Sequence, residues 1–125
     1  LVTVVSFKAT PVLDTCSPNK FFESLAAGVP VIQSTQGWMK DFLEEHKVGY
    51  TLDPNDPDQL AKTLINMSEN PEAVHTMGLR ASNVAAVHFD KDYLAEKMLK
   101  VLQAVHETSP VDSLPTVDSG FSLKQ

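Results

Sequence analysis

Residues 17–32 read SPNKFFESLAAGVPVI, and this stretch holds the most informative structural signals of the chain. Ser17 is a favoured N-cap residue and Pro18 a favoured first helical residue, so a helix is predicted to begin there. Gly28 suits the left-handed residue that follows a helix, and Pro30 cannot continue one. The apolar, β-branched run at the end of the stretch is typical of a short buried strand. The pattern therefore predicts a helix that leads directly into a strand.

The start of this helix is predicted to bind a phosphate group. The first turn leaves backbone N–H groups free between Ser17 and Phe21, at the positive end of the helix dipole. Lys20 would add a formal charge, and the Glu23 carboxylate could accept hydrogen bonds from a sugar diol. The pattern points to a phosphorylated sugar or a nucleotide as the ligand. Taken alone, Lys20 and Glu23 also fit a solvent-facing helix surface, and that alternative stays open at this point.

Composition excludes several classes of function. The chain has 125 residues and a net charge of −6, which argues against a nucleic-acid partner. Cys16 is its only cysteine, so no internal disulfide forms, and a reducing, cytoplasmic location is expected. No His lies near Cys16 in sequence, so Cys16 is not expected to act as a nucleophile. The four His residues lack the spacing of metal ligands, so no metal site is predicted.

Strands and helices alternate along the first part of the chain. The predicted elements are a strand over Leu1–Phe7, a loop over Lys8–Cys16, a helix over Pro18–Ala27, a strand over Val29–Gln33, a turn over Ser34–Gly37, a helix over Trp38–Glu45, a strand over Val48–Leu52, and helices that begin at Asp56-Pro57, Asn70-Pro71 and Asp90. This order implies an α/β fold, in which a three-stranded parallel sheet with flanking helices forms a partial Rossmann-like domain that ends in a C-terminal helical pair.

Two further expectations concern packing. Trp38 is expected in the core or an interface rather than as a stacking platform. The last helix is expected to turn its apolar residues inward, namely Leu94, Met98, Val101, Leu102 and Val105. After residue 107 the sequence becomes rich in Ser, Thr, Pro and Asp, so residues 1–107 are assigned to one domain and residues 108–125 to a disordered tail.

The chain resembles a known family in several of its motifs. Residues 17–32, with Gly37-Trp38, Val48-Gly49-Tyr50 and Asp53-Pro54, are similar to the C-terminal domain of family 4 glycosyltransferases of the GT-B fold. The sequence of residues 17–32 looks most like that of bacterial enzymes that build surface-polysaccharide precursors. The resemblance implies a sugar nucleotide bound between two Rossmann-like domains, with the strands of this chain as strands four to six of the second domain. The loop after the first strand then lies at a topological switch point, where such sheets bind ligands.

The resemblance also implies roles for individual residues. The family carries two acidic residues with seven residues between them, and Glu23 matches the second, which in relatives binds the ribose hydroxyls. Thr15 stands where relatives have the first acid, beside the transferred sugar, and Asp14 is adjacent to it. The predicted donor-binding residues are Ser17, Pro18, Asn19, Lys20, Phe21 and Glu23. The nucleotide-diphosphate sugar is a substrate, and no cofactor is expected.

The function implied is that of a retaining glycosyltransferase, which moves a hexose or amino sugar to a polysaccharide or lipid-linked acceptor. The chain begins within a strand-like run, so it is expected to be an inactive piece of a longer, cytoplasmic protein with peripheral contact at the inner membrane face. Its strand Leu1–Phe7 would lack one neighbour and is expected to form a homodimer. Two alternatives stay open. One is a non-catalytic interaction or dimerisation module, which Thr15 in place of an acid favours, and the other is a sugar-nucleotide 2-epimerase of the same fold.

Overall fold

The computed structural model describes residues 1–108 and confirms the α/β fold. Its elements in chain order are β1 (Thr3–Val5), a 3-10 turn (Pro11–Thr15), α1 (Asn19–Ala26), β2 (Val31–Gln33), α2 (Trp38–His46), β3 (Gly49–Thr51), α3 (Pro57–Glu69), α4 (Pro71–His88) and α5 (Lys91–Thr108). Residues 1–90 form one compact unit, and α5 belongs to a second. Among the described residues, no helix has the length and apolarity needed to cross a bilayer.

The sheet has the order β1-β2-β3 and both pairs are parallel, as predicted. Each strand is only three residues long, which is shorter than the sequence pattern suggests. At the end of β1 the cause is visible in the hydrogen bonds. The Phe7 N–H donates to the Ser34 hydroxyl at 2.8 Å, and the same hydroxyl donates to the Phe7 carbonyl at 3.0 Å. The N–H and the carbonyl of Phe7 are therefore both hydrogen-bonded to a side chain and not to a neighbouring strand.

The start of α1 differs from the sequence-based prediction. Pro18, predicted as the first helical residue, is the N-cap in an extended conformation, and no side-chain hydrogen bond caps the helix. Ser17 was predicted as the cap, and that prediction is wrong. Ser17 lies one residue outside the cap position, because Pro18 itself adopts ψ 135° before the helical turn begins at Asn19.

The end of α1 confirms the prediction. Gly28 has φ +69°, in the left-handed region where glycine carries no Cβ penalty. The Gly28 N–H donates to the Leu25 carbonyl at 3.0 Å, and the Val29 N–H donates to the Ser24 carbonyl at 2.9 Å. These two bonds form a Schellman motif, which satisfies the last carbonyls of the helix and turns the chain toward β2.

Two proline-containing signals predicted helix starts, and both helices form. Asp56 caps α3 as predicted, since its carboxylate accepts a hydrogen bond from the Gln59 N–H at 2.9 Å. Asn70 precedes α4, but its side chain does not cap that helix. It donates instead to the Asn66 carbonyl at 2.8 Å, and thereby closes the end of α3.

The main core lies between β2 and the helices α1, α2 and α4. Its buried residues are Val5, Phe21, Leu25, Val31, Met39, Leu43, Val48, Ala81 and Ala85. A smaller cluster joins Ile32, Leu52 and Met67 on the other side of the sheet. Both faces of the central strand β2 are therefore covered, and its three residues are all buried.

The expectation for the last helix is wrong in one respect. Its apolar residues were predicted to face inward, yet all five are exposed, by 42% at Leu94 and by 55–60% at Met98, Val101, Leu102 and Val105. Apolar periodicity shows that a helix has an apolar face and does not show what covers that face. The helix includes Thr108, so it extends one residue past the predicted domain end. The rest of the predicted tail, residues 109–125, lies outside the described residues.

Candidate functional site

The carboxyl ends of the three parallel strands meet at one edge of the sheet, and two clefts lie there. The first has a volume of about 350 Å³ and is lined by residues 4–8, 32–34 and 52–54, together with Asp56 and Leu60. The second, of about 590 Å³, is lined by residues 8–11, Asp14, Ser34, Gln36, Lys40, Glu44, residues 51–55 and Gln59. This edge is where open α/β sheets bind their ligands.

A buried polar network fixes the end of β2 at this edge. The Gln33 side chain is only 1% exposed, and its Oε1 accepts hydrogen bonds from the N–H and the hydroxyl of Thr35 at 2.5 and 2.7 Å. Its Nε2 donates to the Thr35 carbonyl at 2.9 Å and to the Thr51 hydroxyl at 2.7 Å. Every polar atom of this buried amide therefore has a partner, so the network rigidifies the turn that follows β2.

Sequence reasoning missed this network. It treated Gln33 as the end of a strand and the following residues as an ordinary turn. The available signal was a polar amide directly after the apolar run of β2, at a position where both faces of the strand are buried. A buried amide in such a place requires partners, and Thr35 and Thr51 are the hydroxyl-bearing residues that meet it.

The start of α1 presents the predicted phosphate-binding groups to solvent. Ser17, Asn19 and Lys20 are exposed. Within residues 1–108, the backbone N–H groups of these three residues donate to no protein acceptor. They lie in or directly before the first turn of an eight-residue helix, at the positive end of its dipole. These N–H groups are therefore available to donate hydrogen bonds to an anion.

Phe21 is placed differently from its predicted role in the donor site. Its N–H donates to the Pro18 carbonyl at 3.0 Å, so this amide is already used within the protein. Its ring is fully buried, with edge-to-face contacts to Phe22, Trp38 and Phe42. The donor groups at the start of α1 thus come from the residues before Phe21, while Phe21 anchors the helix to the core.

Glu23 lies in the second turn of α1 and is exposed. It follows Lys20 by three residues, so the two side chains share one side of the helix. Among the described residues, the ion pair that the structure contains joins Lys100 to Glu96, and Glu23 takes part in none. The Glu23 carboxylate is therefore free to accept hydrogen bonds from a ligand bound at the start of α1.

Asp14 and Thr15 lie in the 3-10 turn that precedes α1. One carboxylate oxygen of Asp14 accepts a hydrogen bond from the Gln36 N–H at 2.8 Å. The Thr15 hydroxyl donates to the Val12 carbonyl at 2.9 Å, which closes its own turn. Asp14 also lines the larger cleft, whereas Thr15 does not. Of the two residues, Asp14 thus has its carboxyl group at the carboxyl edge of the sheet.

Trp38 packs as predicted, as part of an aromatic cluster. Its ring stacks on Phe22, with centroids 5.9 Å apart and planes 16° from parallel, and meets Phe21 edge-on at 5.3 Å. Its indole N–H also donates to the Cys16 carbonyl at 2.9 Å. Sequence reasoning missed this bond, which ties the start of α2 to the loop before α1.

Among residues 1–108, no group of three or more His, Cys, Asp or Glu side chains could hold a metal ion.

Comparison with known proteins identifies the family. The chain matches the family described as "Glycosyl transferases group 1" over residues 18–84, which is more than half of its length and covers α1 and the next five elements, up to and including most of α4. The "Spore coat protein SA" of Bacillus subtilis (strain 168) is 30% identical over 83 residues, which cover 66% of this chain and 22% of that protein. The chain therefore spans about a fifth of the length of this curated relative. No solved structure matches the chain. With its parallel sheet and a family match that begins at the start of α1, the chain belongs to the group 1 glycosyltransferase family.

Proposed function

We propose that the chain forms part of the donor site of a retaining glycosyltransferase. In this proposal the enzyme transfers a hexose or amino sugar from a nucleotide-diphosphate sugar to a polysaccharide or lipid-linked acceptor. The observation that carries the proposal is the set of N–H groups of Ser17, Asn19 and Lys20 at the start of α1, which have no acceptor within residues 1–108. The family match begins at the same place, at residue 18.

The chemistry of transfer explains why such a helix start is useful. As the bond between the anomeric carbon of the sugar and the diphosphate breaks, negative charge builds on the leaving diphosphate oxygens. Backbone donors held by a folded helix, together with the charge of Lys20, stabilise that anion without having to reorient. Glu23, one turn along the same helix, would accept hydrogen bonds from the ribose hydroxyls. The 3-10 turn with Asp14 and Thr15 would then lie toward the transferred sugar.

The acceptor is assigned to a part of the protein outside this chain. The single cysteine agrees with a reducing compartment. We place the parent enzyme in the cytoplasm, with peripheral contact at the inner membrane face, where a lipid-linked acceptor would be reached.

Titration of the ¹⁵N-labelled chain with UDP and GDP tests the donor site. We expect the amide resonances of Ser17, Asn19 and Lys20 to shift with either diphosphate, because those N–H groups would donate to it. The matched control is titration with uridine and guanosine, which carry the same bases and riboses without phosphate and should leave these resonances in place. Shifts confined to other parts of the chain would contradict the proposal.

One observation favours a second candidate function, a non-catalytic interaction module. Thr15 stands where the resemblance implies an acid beside the transferred sugar, and its hydroxyl is used within its own turn. In this alternative, the start of α1 binds no donor and the sheet serves association between chains. The same titration separates the two candidates, since the module would leave the amides of Ser17, Asn19 and Lys20 unchanged up to millimolar nucleotide.

We predict that the 125-residue chain alone transfers no sugar. Positioning of donor and acceptor supplies much of the rate of a transfer enzyme, and the proposed acceptor site lies outside this chain. Incubation with radiolabelled UDP- and GDP-sugars should release no labelled product above a heat-treated control. Sugar transfer that persists through a second purification, and that is lost in the Glu23→Ala variant, would contradict this prediction.

We also predict that the chain self-associates through β1. Among the described residues, this strand is hydrogen-bonded to β2 alone, so its other side offers backbone groups to another chain. The Thr3 N–H donates to the Pro30 carbonyl within the sheet, so the next amide, that of Val4, points to the open side. Light scattering should show a dimer that Val4→Pro converts to a monomer, because proline removes only the outward donor. A wild-type chain that stays monomeric at millimolar concentration would contradict the prediction.

A further inference from the structure

Two short segments lie against each other directly before the proposed diphosphate site. Residues 36–38, at the start of α2, contact residues 14–16, at the end of the 3-10 turn. The Gln36 N–H donates to the Asp14 carboxylate at 2.8 Å, and the Trp38 indole N–H donates to the Cys16 carbonyl at 2.9 Å. Between them, a Cβ atom added to Gly37 would overlap the Asp14 carbonyl oxygen, so the two backbones touch.

The bond from Trp38 acts on a peptide unit that also belongs to the site. The Cys16 carbonyl and the Ser17 N–H are parts of the same planar peptide group and point in opposite directions. A hydrogen bond that fixes the carbonyl therefore fixes the direction of the Ser17 N–H as well. Accepting a hydrogen bond also polarises the peptide group, which strengthens its N–H as a donor. The Ser17 N–H has no protein acceptor among residues 1–108 and Ser17 is exposed.

The ring of Trp38 is itself held by α1. It stacks on Phe22 and meets Phe21 edge-on, at centroid distances of 5.9 and 5.3 Å. One side chain thus contacts both the helix that carries the Asn19 and Lys20 donors and the peptide group that carries the Ser17 donor. Movement of the loop relative to the helix would break either the hydrogen bond or the ring contacts of Trp38.

We propose that Trp38 is a positioning residue for the donor diphosphate: its indole N–H holds the Cys16–Ser17 peptide group so that the Ser17 N–H converges with those of Asn19 and Lys20 on one anion. The proposal rests on the proposed function and extends it. It assigns Trp38 a role beyond packing, although Trp38 does not itself touch the ligand.

Trp38→Phe is the direct test, because it keeps an aromatic ring against Phe21 and Phe22 and removes the N–H. Binding of UDP and of inorganic pyrophosphate is measured by ¹⁵N amide titration of the chain. We expect about threefold to tenfold weaker binding of both probes, the effect of losing one neutral hydrogen bond, and a smaller shift of the Ser17 amide at saturation. The matched control is Phe42→Leu, which trims the same aromatic cluster and has no hydrogen bond to the loop. It should lower the melting temperature and leave both affinities within twofold.

A second measurement keeps the proposal testable if Trp38→Phe does not fold. In the wild-type chain, the Trp38 indole N–H resonance should shift on addition of pyrophosphate with the same midpoint as the Ser17 amide. An indole resonance that stays in place while the Ser17 amide shifts would overturn the proposal.

The remaining outcomes separate this inference from the proposed function. If Glu23→Ala weakens UDP binding while Trp38→Phe leaves it unchanged, the positioning role is overturned and the donor site stands. Equal loss of affinity in Trp38→Phe and Phe42→Leu would also overturn the positioning role, because it would reduce Trp38 to general packing. If the wild-type chain binds neither UDP nor pyrophosphate, the donor site and the positioning role are overturned together.

Discussion

Replacing Phe21 by alanine is expected to lower the free energy of unfolding of the chain by about 3–5 kcal/mol. The Phe21 ring is fully buried and lies within 6 Å, centroid to centroid, of the rings of Phe22, Trp38 and Phe42. Its removal would leave a cavity between α1 and α2, which the surrounding rings could fill only in part. A loss of this size is a large fraction of the total stability of a small domain.

Urea unfolding followed by circular dichroism and by the fluorescence of Trp38, the only tryptophan, measures this effect. The matched control is Ile65→Ala on α3, where the side chain is 57% exposed, and its free energy of unfolding should change by less than about 0.5 kcal/mol. A change below about 1 kcal/mol for Phe21→Ala would show that the aromatic cluster does not anchor α1.

Replacing Glu23 by alanine is expected to weaken nucleotide-diphosphate binding by about 1.5–3 kcal/mol, or roughly 10-fold to 150-fold. The change removes a charged acceptor that the proposal places on the ribose hydroxyls. Glu23 is exposed and makes no ion pair among the described residues, so its loss should leave the free energy of unfolding nearly unchanged.

Calorimetric titration of the full-length protein with UDP and GDP measures the affinity. Glu45→Ala is the matched control, since it removes an exposed carboxylate from α2, outside the proposed site, and should leave the affinity within twofold. Glu23→Gln should fall between the wild type and Glu23→Ala, because the amide keeps one acceptor and loses the charge. An unchanged dissociation constant for Glu23→Ala would exclude the ribose role.

Local signals in the sequence predicted much of this fold. The left-handed Gly28, the Asp56 cap and the alternation of strands with helices each depend on residues a few positions apart, and the structure confirms all three. The Ser17 cap was wrong for an equally local reason. Pro18 competes for the same boundary, and its extended conformation moves the first helical residue to Asn19. A pattern that contains two acceptable cap positions does not decide between them.

The contacts that shape the candidate site could not be predicted in the same way. The Ser34 hydroxyl meets Phe7 across 27 residues, the Trp38 indole meets Cys16 across 22, and Gln33 meets Thr51 across 18. Each pairing arises because parallel strands bring their carboxyl ends to one edge, and no periodicity in a single segment encodes it. The exposure of the apolar face of α5 was not predictable either, since sequence periodicity identifies an apolar face and does not show what contacts it.

A crystal structure of the full-length protein with a bound nucleotide diphosphate would show whether the start of α1 is the donor site. We predict that oxygens of the diphosphate lie within hydrogen-bond distance of the N–H groups of Ser17, Asn19 and Lys20, and that the Glu23 carboxylate contacts the ribose hydroxyls. A nucleotide bound elsewhere, with the start of α1 facing only solvent, would contradict it.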